Sequence, residues 1–159
     1  MGRGDMVSGW NWDGDESLLR FDDPAEWDAA YERGEGPLGS AAIGLAFNCS
    51  LAEASPRIIR AMRLPDRGQR GFAFTAAGTA ARLNGELTPE LYAALRAEGC
   101  GAFAEHAIRD TLTFVPFRHL PPWFKWQMVR TTVGDKLEYW WQRASDAAEE
   151  VWNSLRRRR

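Results

Sequence analysis

Three stretches decide how this chain is read: Pro56-Arg57-Ile58-Ile59-Arg60-Ala61-Met62, Pro89-Glu90-Leu91-Tyr92-Ala93-Ala94-Leu95 and Pro122-Trp123-Phe124-Lys125-Trp126-Gln127-Met128. Their prolines stand 33 residues apart. A fixed period of this size is the signature of stacked supersecondary units. Proline suits the first turn of a helix, where its missing amide would be unpaired anyway. Ser55 and Thr88 precede two of the prolines and can serve as N-caps, whereas Pro121 leaves the third helix without a side-chain cap. Positions 58, 91 and 124 are Ile, Leu and Phe, and positions 62, 95 and 128 are Met, Leu and Met. That i, i+4 spacing gives each helix one buried face.

Outward from these stretches, the first helix of each unit is expected upstream, at about 39–50, 70–83 and 102–115. These segments are rich in alanine, among them Ala41, Ala42, Ala73, Ala76, Ala77, Ala104 and Ala107. Such small residues let helices approach closely. Leu64, Pro65, Asp66 and Gly68 form a turn, as do Asn84 and Gly85. Before the repeats, Asp23, Pro24 and Glu26 mark a helix start with a capping box, and Gly34, Gly36 and Pro37 mark its stop. Residues 1–22 carry no helical period and are expected to be irregular. Beyond 131 the period breaks. Asp135 and Glu138 signal another helix start, and a 3–4 spacing from Leu137 through Trp140, Trp141, Ala144 and Val151 to Leu155 defines a long amphipathic helix. Its closing arginines favour the negative end of the helix dipole.

The Pro-led helices, with the Leu64, Pro65, Asp66, Arg70 turn, resemble HEAT-like helical repeats over about residues 40–130. The resemblance implies an all-α fold: a short right-handed stack of antiparallel helix pairs forming a short α-solenoid. A short N-terminal helix would precede the repeats at 38–131, and a long C-terminal helix at 135–155 would cap them. One domain is expected from 159 residues, long enough to bury a core without disulfides or metal. Cys49 and Cys100 are too few for a disulfide framework. No signal-peptide pattern opens the chain and no apolar run approaches the ~20 residues that span a bilayer. A cytoplasmic, bacterial protein without membrane contact is the expectation.

Net charge is −2 but unevenly spread: residues 1–36 carry ten acidic and three basic side chains, and four arginines end the chain. Acidic and basic segments of one chain can pair with each other or steer a partner. In HEAT-like stacks the second helices line the concave surface, which nominates Arg57, Arg60, Glu90, Trp123 and Trp126 as binding residues. Aromatic anchors with a polar rim are typical of protein interfaces. Two readings of Trp123 and Trp126 follow. They are exposed anchors, or the C-terminal helix folds over them with Trp140 and Trp141 as packing partners, which the scarcity of solvent-exposed Trp favours.

The leading functional expectation is a non-enzymatic protein-binding module, such as an adaptor or toxin-neutralising partner. The alternative is a nucleic-acid-binding protein resembling HEAT-like DNA glycosylases, with Arg57, Arg60, Trp123, Trp126 and Asp110 at the site. Arg57, Arg60, Arg63, Arg67 and Arg70 could follow phosphates, but a sequence pI near 5.7 speaks against strong binding. Cys100, His106, Asp110 and His119 form no dense ligand motif, and Asp13, Asp15 and Glu16 are only a fragment of a calcium loop. No catalytic residue, metal site or cofactor is assigned.

Overall fold

Asp23 starts the first helix by accepting from the amides of Ala25 and Glu26, both at 3.0 Å, with Pro24 in the first helical position. This helix, α1 (Pro24–Arg33), stops at Gly34, whose φ of 68° is left-handed. Glu26 pairs with Arg33 at 2.9 Å, turning the expected capping box into an ion pair along the helix. The computed structural model describes residue 12, residues 18–101 and residues 103–156. Most of the segment expected to be irregular, the Asp13, Asp15, Glu16 fragment and the last three arginines therefore lie outside the described residues.

Six further α-helices follow: α2 (Leu38–Asn48), α3 (Leu51–Ala61), α4 (Arg67–Asn84), α5 (Pro89–Glu98), α6 (Glu105–Phe114) and α7 (Pro122–Arg156). A 3₁₀ turn at Phe117–His119 precedes α7. The protein is all-helical, with no strand among the described residues. No helix there is long and apolar enough to cross a membrane. Two compact units result, Met1–Leu120 with α1 to α6 and Pro121–Arg159 with α7.

In the first unit α2 packs against α4 and α4 against α6, while α3 packs against both α4 and α5. Glycines make the α2–α4–α6 row possible. A β-carbon at Gly39 would stand 1.9 Å from the Gln69 carbonyl oxygen, and one at Gly78 would stand 3.3 Å from Cα of Ala107. A β-carbon at Gly71 would meet only the Phe103 ring, at 3.7 Å, an ordinary contact. Gly39 meets Gln69 with α2 and α4 packed side by side and both near their N-termini, and along α4 residues 71 and 78 advance with 103 and 107, so the row helices run in the same sense. The core is correspondingly small-residued, with Ala41, Ala42, Ala73, Ala76, Ala77, Ala80 and Ala81 buried between larger Trp27, Phe21, Leu45, Ile58, Leu91 and Leu95.

Polar bonds complete the packing. Pro37 cannot cap α2 with a side chain, and Gln69 of α4 supplies the cap instead. Its Oε1 accepts from the amides of Gly39 at 2.8 Å and Ser40 at 3.2 Å. Asn48 donates to the carbonyls of Leu19, Phe21 and Gly44, pinning residues 18–21 onto the end of α2. The buried indole N–H of Trp27 donates to the carbonyl of Leu38 at 3.1 Å, joining α1 to α2.

Two expectations need correction. Ser55 does not cap a helix at Pro56. Helix α3 begins five residues earlier, at Ser50, where a full capping box with Glu53 outcompetes it. Pro56 then sits inside α3 and faces solvent, and Ser55 is buried with its hydroxyl bonded to that of Thr88, the real N-cap of α5. The break expected between 131 and 135 is also absent, since α7 runs through it. No proline interrupts the run, and Thr131 and Thr132 turn their hydroxyls back onto carbonyls of Gln127 and Met128 in the preceding turn. Burial at the register positions agrees with the sequence: Ile58, Leu91 and Phe124 are all buried.

Candidate functional site

The five nominated residues fall in two unlike settings. Arg57 and Arg60 lie one turn apart on α3 and face α1. Arg57 spends all three guanidinium nitrogens within the fold: Nε on the carbonyl of Pro24 at 3.0 Å, one terminal nitrogen on the carbonyl of Glu53 at 2.7 Å, the other on Asp28. Arg60 reaches Asp28 at 2.9 Å and Glu32 at 2.8 Å. Its guanidinium also lies 3.9 Å from the ring centre of Tyr31 and 5.6 Å from that of Trp27. Charge-assisted bonds and cation–π stacking thus clamp the acidic α1 to α3. The excess of acid in the first 36 residues thus meets part of the Arg57–Arg70 cluster intramolecularly, while the arginine tail named by the charge pattern lies largely outside the described residues.

The other arginines of the cluster behave differently. Arg67 and Arg70 set their guanidiniums 5.1 and 4.8 Å from the ring centre of Phe103, and neither has an ion pair among the described residues. Asp66 caps α4 through the Gln69 amide at 2.7 Å. Arg33, between Glu35 and Glu26, has its pKa raised further by its bonds to those carboxylates.

Glu90 is exposed in the first turn of α5. Trp123 is half-buried and meets Phe124 edge-to-face, with ring centres 4.8 Å apart. Trp126 is 57% exposed. Arg57, Arg60 and Glu90 belong to the first unit, and Trp123 and Trp126 to the second. Trp140 and Trp141 cannot cover Trp123 and Trp126, because one unbroken helix carries all four. That continuous helix is what the sequence reading missed. Val129, Val133, Tyr139, Trp140 and Trp141 are each at least half exposed, Trp140 at 68% and Trp141 at 76%. The signal was present: Trp126, Val129, Val133 and Trp140 fall at i, i+3, i+7 and i+14.

Asp110 pairs with Arg82 at 3.2 Å, His106 and Cys100 are exposed, and His119 accepts from Nε of Arg118 at 3.1 Å. Among the described residues no three His, Cys, Asp or Glu stand together as a metal site. Both cysteines are free thiols, and burial chiefly pushes the pKa of Cys49 up, with Glu53 and Asp22 adding to it. No family model matches the chain, and no curated protein or solved structure matches it either.

Proposed function

We propose that this chain is a protein-binding module of HEAT-like helix pairs, acting as an adaptor or neutralising partner rather than as an enzyme. Its partner docks on the exposed face of α7. The observation that carries this reading is the run of solvent-exposed aromatic and branched side chains on that helix, Trp126, Val129, Val133, Trp140 and Trp141. Scattered apolar residues are normal at a surface, but a contiguous aromatic run marks an interaction site. Tryptophan is also the residue most enriched among binding hot spots. The parallel α2, α4, α6 row and the α3–α5 contact support the repeat interpretation of the first unit. Glu90, Trp123 and the exposed edge of Arg60 remain candidates for a secondary contact. Nucleic-acid binding finds less support, since Arg57 and Arg60 are already neutralised by Asp28 and Glu32.

A photo-crosslinking amino acid placed at Val129, in the cell that makes the protein, tests the proposal. A single protein adduct is expected, lost in the Trp126→Ala, Trp140→Ala double variant while that variant keeps its helicity and melting temperature. An adduct formed from position 90 and never from 129 would move the site to α5. Steeply salt-dependent DNA binding would replace the protein-binding reading altogether.

A further inference from the structure

Helix α7 carries more information about its partner than exposure alone. Trp126, Val129 and Val133 open a 3-4-4 spacing that recurs at 137, 140 and 144 and again at 148, 151 and 155, and every one of the nine positions is apolar. Eleven residues in three turns is about 3.67 per turn, close to the natural 3.6, so such a stripe stays on one side of a helix over its whole length. The stripe spans about 100° around Val133 when positions are laid out at ~100° per residue. A stripe of that width is enough to seat one facing helix along its length.

Phe124 and Gln127 are buried, and the same layout puts them on the far side from Trp126, Val129 and Val133, which are exposed. Charge is sorted in the same sense. Arg130, Lys136 and Arg143 occupy positions bordering the stripe, within about 60–80° of its centre, and no acid lies among them. All five acids of the helix, at positions 135, 138, 146, 149 and 150, fall about 100–160° away. Arg130 and Arg143 are exposed. Arg130 sits 5.6 Å from the Trp126 ring centre, a cation held beside the stripe, and Arg143 sits 5.6 Å from the ring centre of Tyr139.

We infer that the partner of α7 is an amphipathic helix of another protein whose own apolar seam is bordered by acidic residues. This rests on the reading of α7 as a protein-binding face and specifies its occupant. Charge complementarity selects the occupant, because cations border both sides of the seam and an acidic-edged helix would neutralise them on desolvation. A second copy fits poorly: any two-fold pairing through the seam would set lysine and arginine borders against each other, and like charges across an interface are repulsive. A lipid surface fits less well than a helix, since half of the later seam positions are alanine, Ala144 and Ala148, with little apolar surface to bury. The size is adequate. Trp126, Trp140 and Trp141 together expose about two whole indole side chains, or roughly 300–500 Å². With Val129, Val133 and the facing surface of the partner, the pair reaches the scale of roughly 1,200 Å² at which specific complexes begin.

Two designed peptides of three eleven-residue repeats, with leucine at the seam positions and either glutamate or lysine at the borders, probe this on the full chain. The glutamate peptide should bind at least about tenfold tighter at low salt, and that advantage should shrink as salt screens the border charges. Trp140→Glu should abolish binding, and Arg130→Glu with Arg143→Glu should reverse the preference toward the lysine peptide, both with unchanged circular dichroism of the folded chain. Equal affinity for the two peptides overturns the inference. So does a concentration-dependent dimer in sedimentation equilibrium that Trp140→Glu dissociates, or binding to phosphatidylserine vesicles that the same variant removes in the absence of peptide binding. An adduct captured from position 129 together with equal peptide affinities would leave the protein-binding reading standing and reject only the acidic helix.

Discussion

Gly39→Ala tests the parallel helix row most directly. The new methyl group would stand 1.9 Å from the carbonyl oxygen of Gln69, 2.6 Å from its carbonyl carbon and 2.8 Å from its Cα. These are backbone atoms, so no rotamer change relieves the clash. Ordinary contact begins near 3.4 Å, so α2 and α4 must part locally by about 1.5 Å. That shift carries the Gln69 Oε1 out of range of the Gly39 and Ser40 amides, now at 2.8 and 3.2 Å. Overpacking costs about 1–3 kcal/mol. The two lost caps add about 1 kcal/mol each, and alanine's better helix propensity returns up to about 1 kcal/mol. The net loss is about 2–4 kcal/mol, a fall of roughly 5–15 °C in melting temperature for a chain of this size. Gly71→Ala is the matched control. Its methyl group would meet only Phe103 at 3.7 Å, an ordinary contact, so the variant should gain about 0.5–1 kcal/mol from propensity alone. Thermal melts followed by circular dichroism decide the matter. A Gly39→Ala protein as stable as the parent, or a Gly71→Ala protein destabilised as much as Gly39→Ala, would refute the close approach.

Ile58→Ala should cost about 2–5 kcal/mol through lost burial and a residual cavity, and Arg57→Ala about 1–3 kcal/mol because three bonds to α1 and α3 go with it. Arg63→Ala, at an exposed position, should stay within about 0.5 kcal/mol in the same urea titration, and equal losses at 57 and 63 would contradict the clamp on α1. The capping box of α3 predicts a pH effect. Bonds from the Ser50 hydroxyl and amide, in that order, hold the Glu53 carboxyl below the ordinary carboxylate range. A depressed carboxylate contributes stability that is present above its unfolded pKa and lost as pH falls through the folded value. The stability gap between the parent and Glu53→Gln should therefore narrow on acidification through that window, and a constant gap would remove the box as its cause.

Which parts of the fold could be read beforehand follows from the range of the forces involved. Local signals carried through: Asp23 and Thr88 cap the helices they precede, and Gly34 and Gly85 end helices in left-handed conformations. Register burial at Ile58 and Leu91 carried through as well, because an i, i+4 pattern marks one face wherever the helix begins. Pro56 misled. A proline after serine resembles a helix start, yet the capping box of Ser50 and Glu53 starts α3 five residues earlier and leaves Pro56 inside the helix. The contacts that hold the unit together were beyond any local reading. Gln69 caps a helix 30 residues earlier, and Asp28 meets Arg57 and Arg60 across about as many residues.

The long α7 turns on a similar competition, and it changes what the tryptophans can mean. Residues 131 to 134 are Thr-Thr-Val-Gly, a run of weak helix formers followed by Asp135 and Glu138, which together imitate a stop and a new start. Weak propensity costs only a few tenths to about 1 kcal/mol per residue, and no residue there forbids a helix as proline would. The two threonines also return their hydroxyl bonds to the helix itself, at 2.8–3.1 Å, and so keep no polar group free to cap a break. With the break gone, Trp126 and Trp140 become members of one face on one rod instead of opposing surfaces of a closed pair. A rod cannot bury its own seam. The exposure of Trp126, Trp140 and Trp141 is therefore a direct consequence of helical continuity at Gly134, and inserting a proline there should be read by its effect on those indoles. Gly134→Pro breaks the helix at a cost of about 3 kcal/mol and frees the two halves to fold together. A blue shift of the tryptophan emission and loss of quenching by acrylamide would follow. Unchanged emission in a variant with reduced helicity would mean that the seam stays open for reasons other than the continuity of α7.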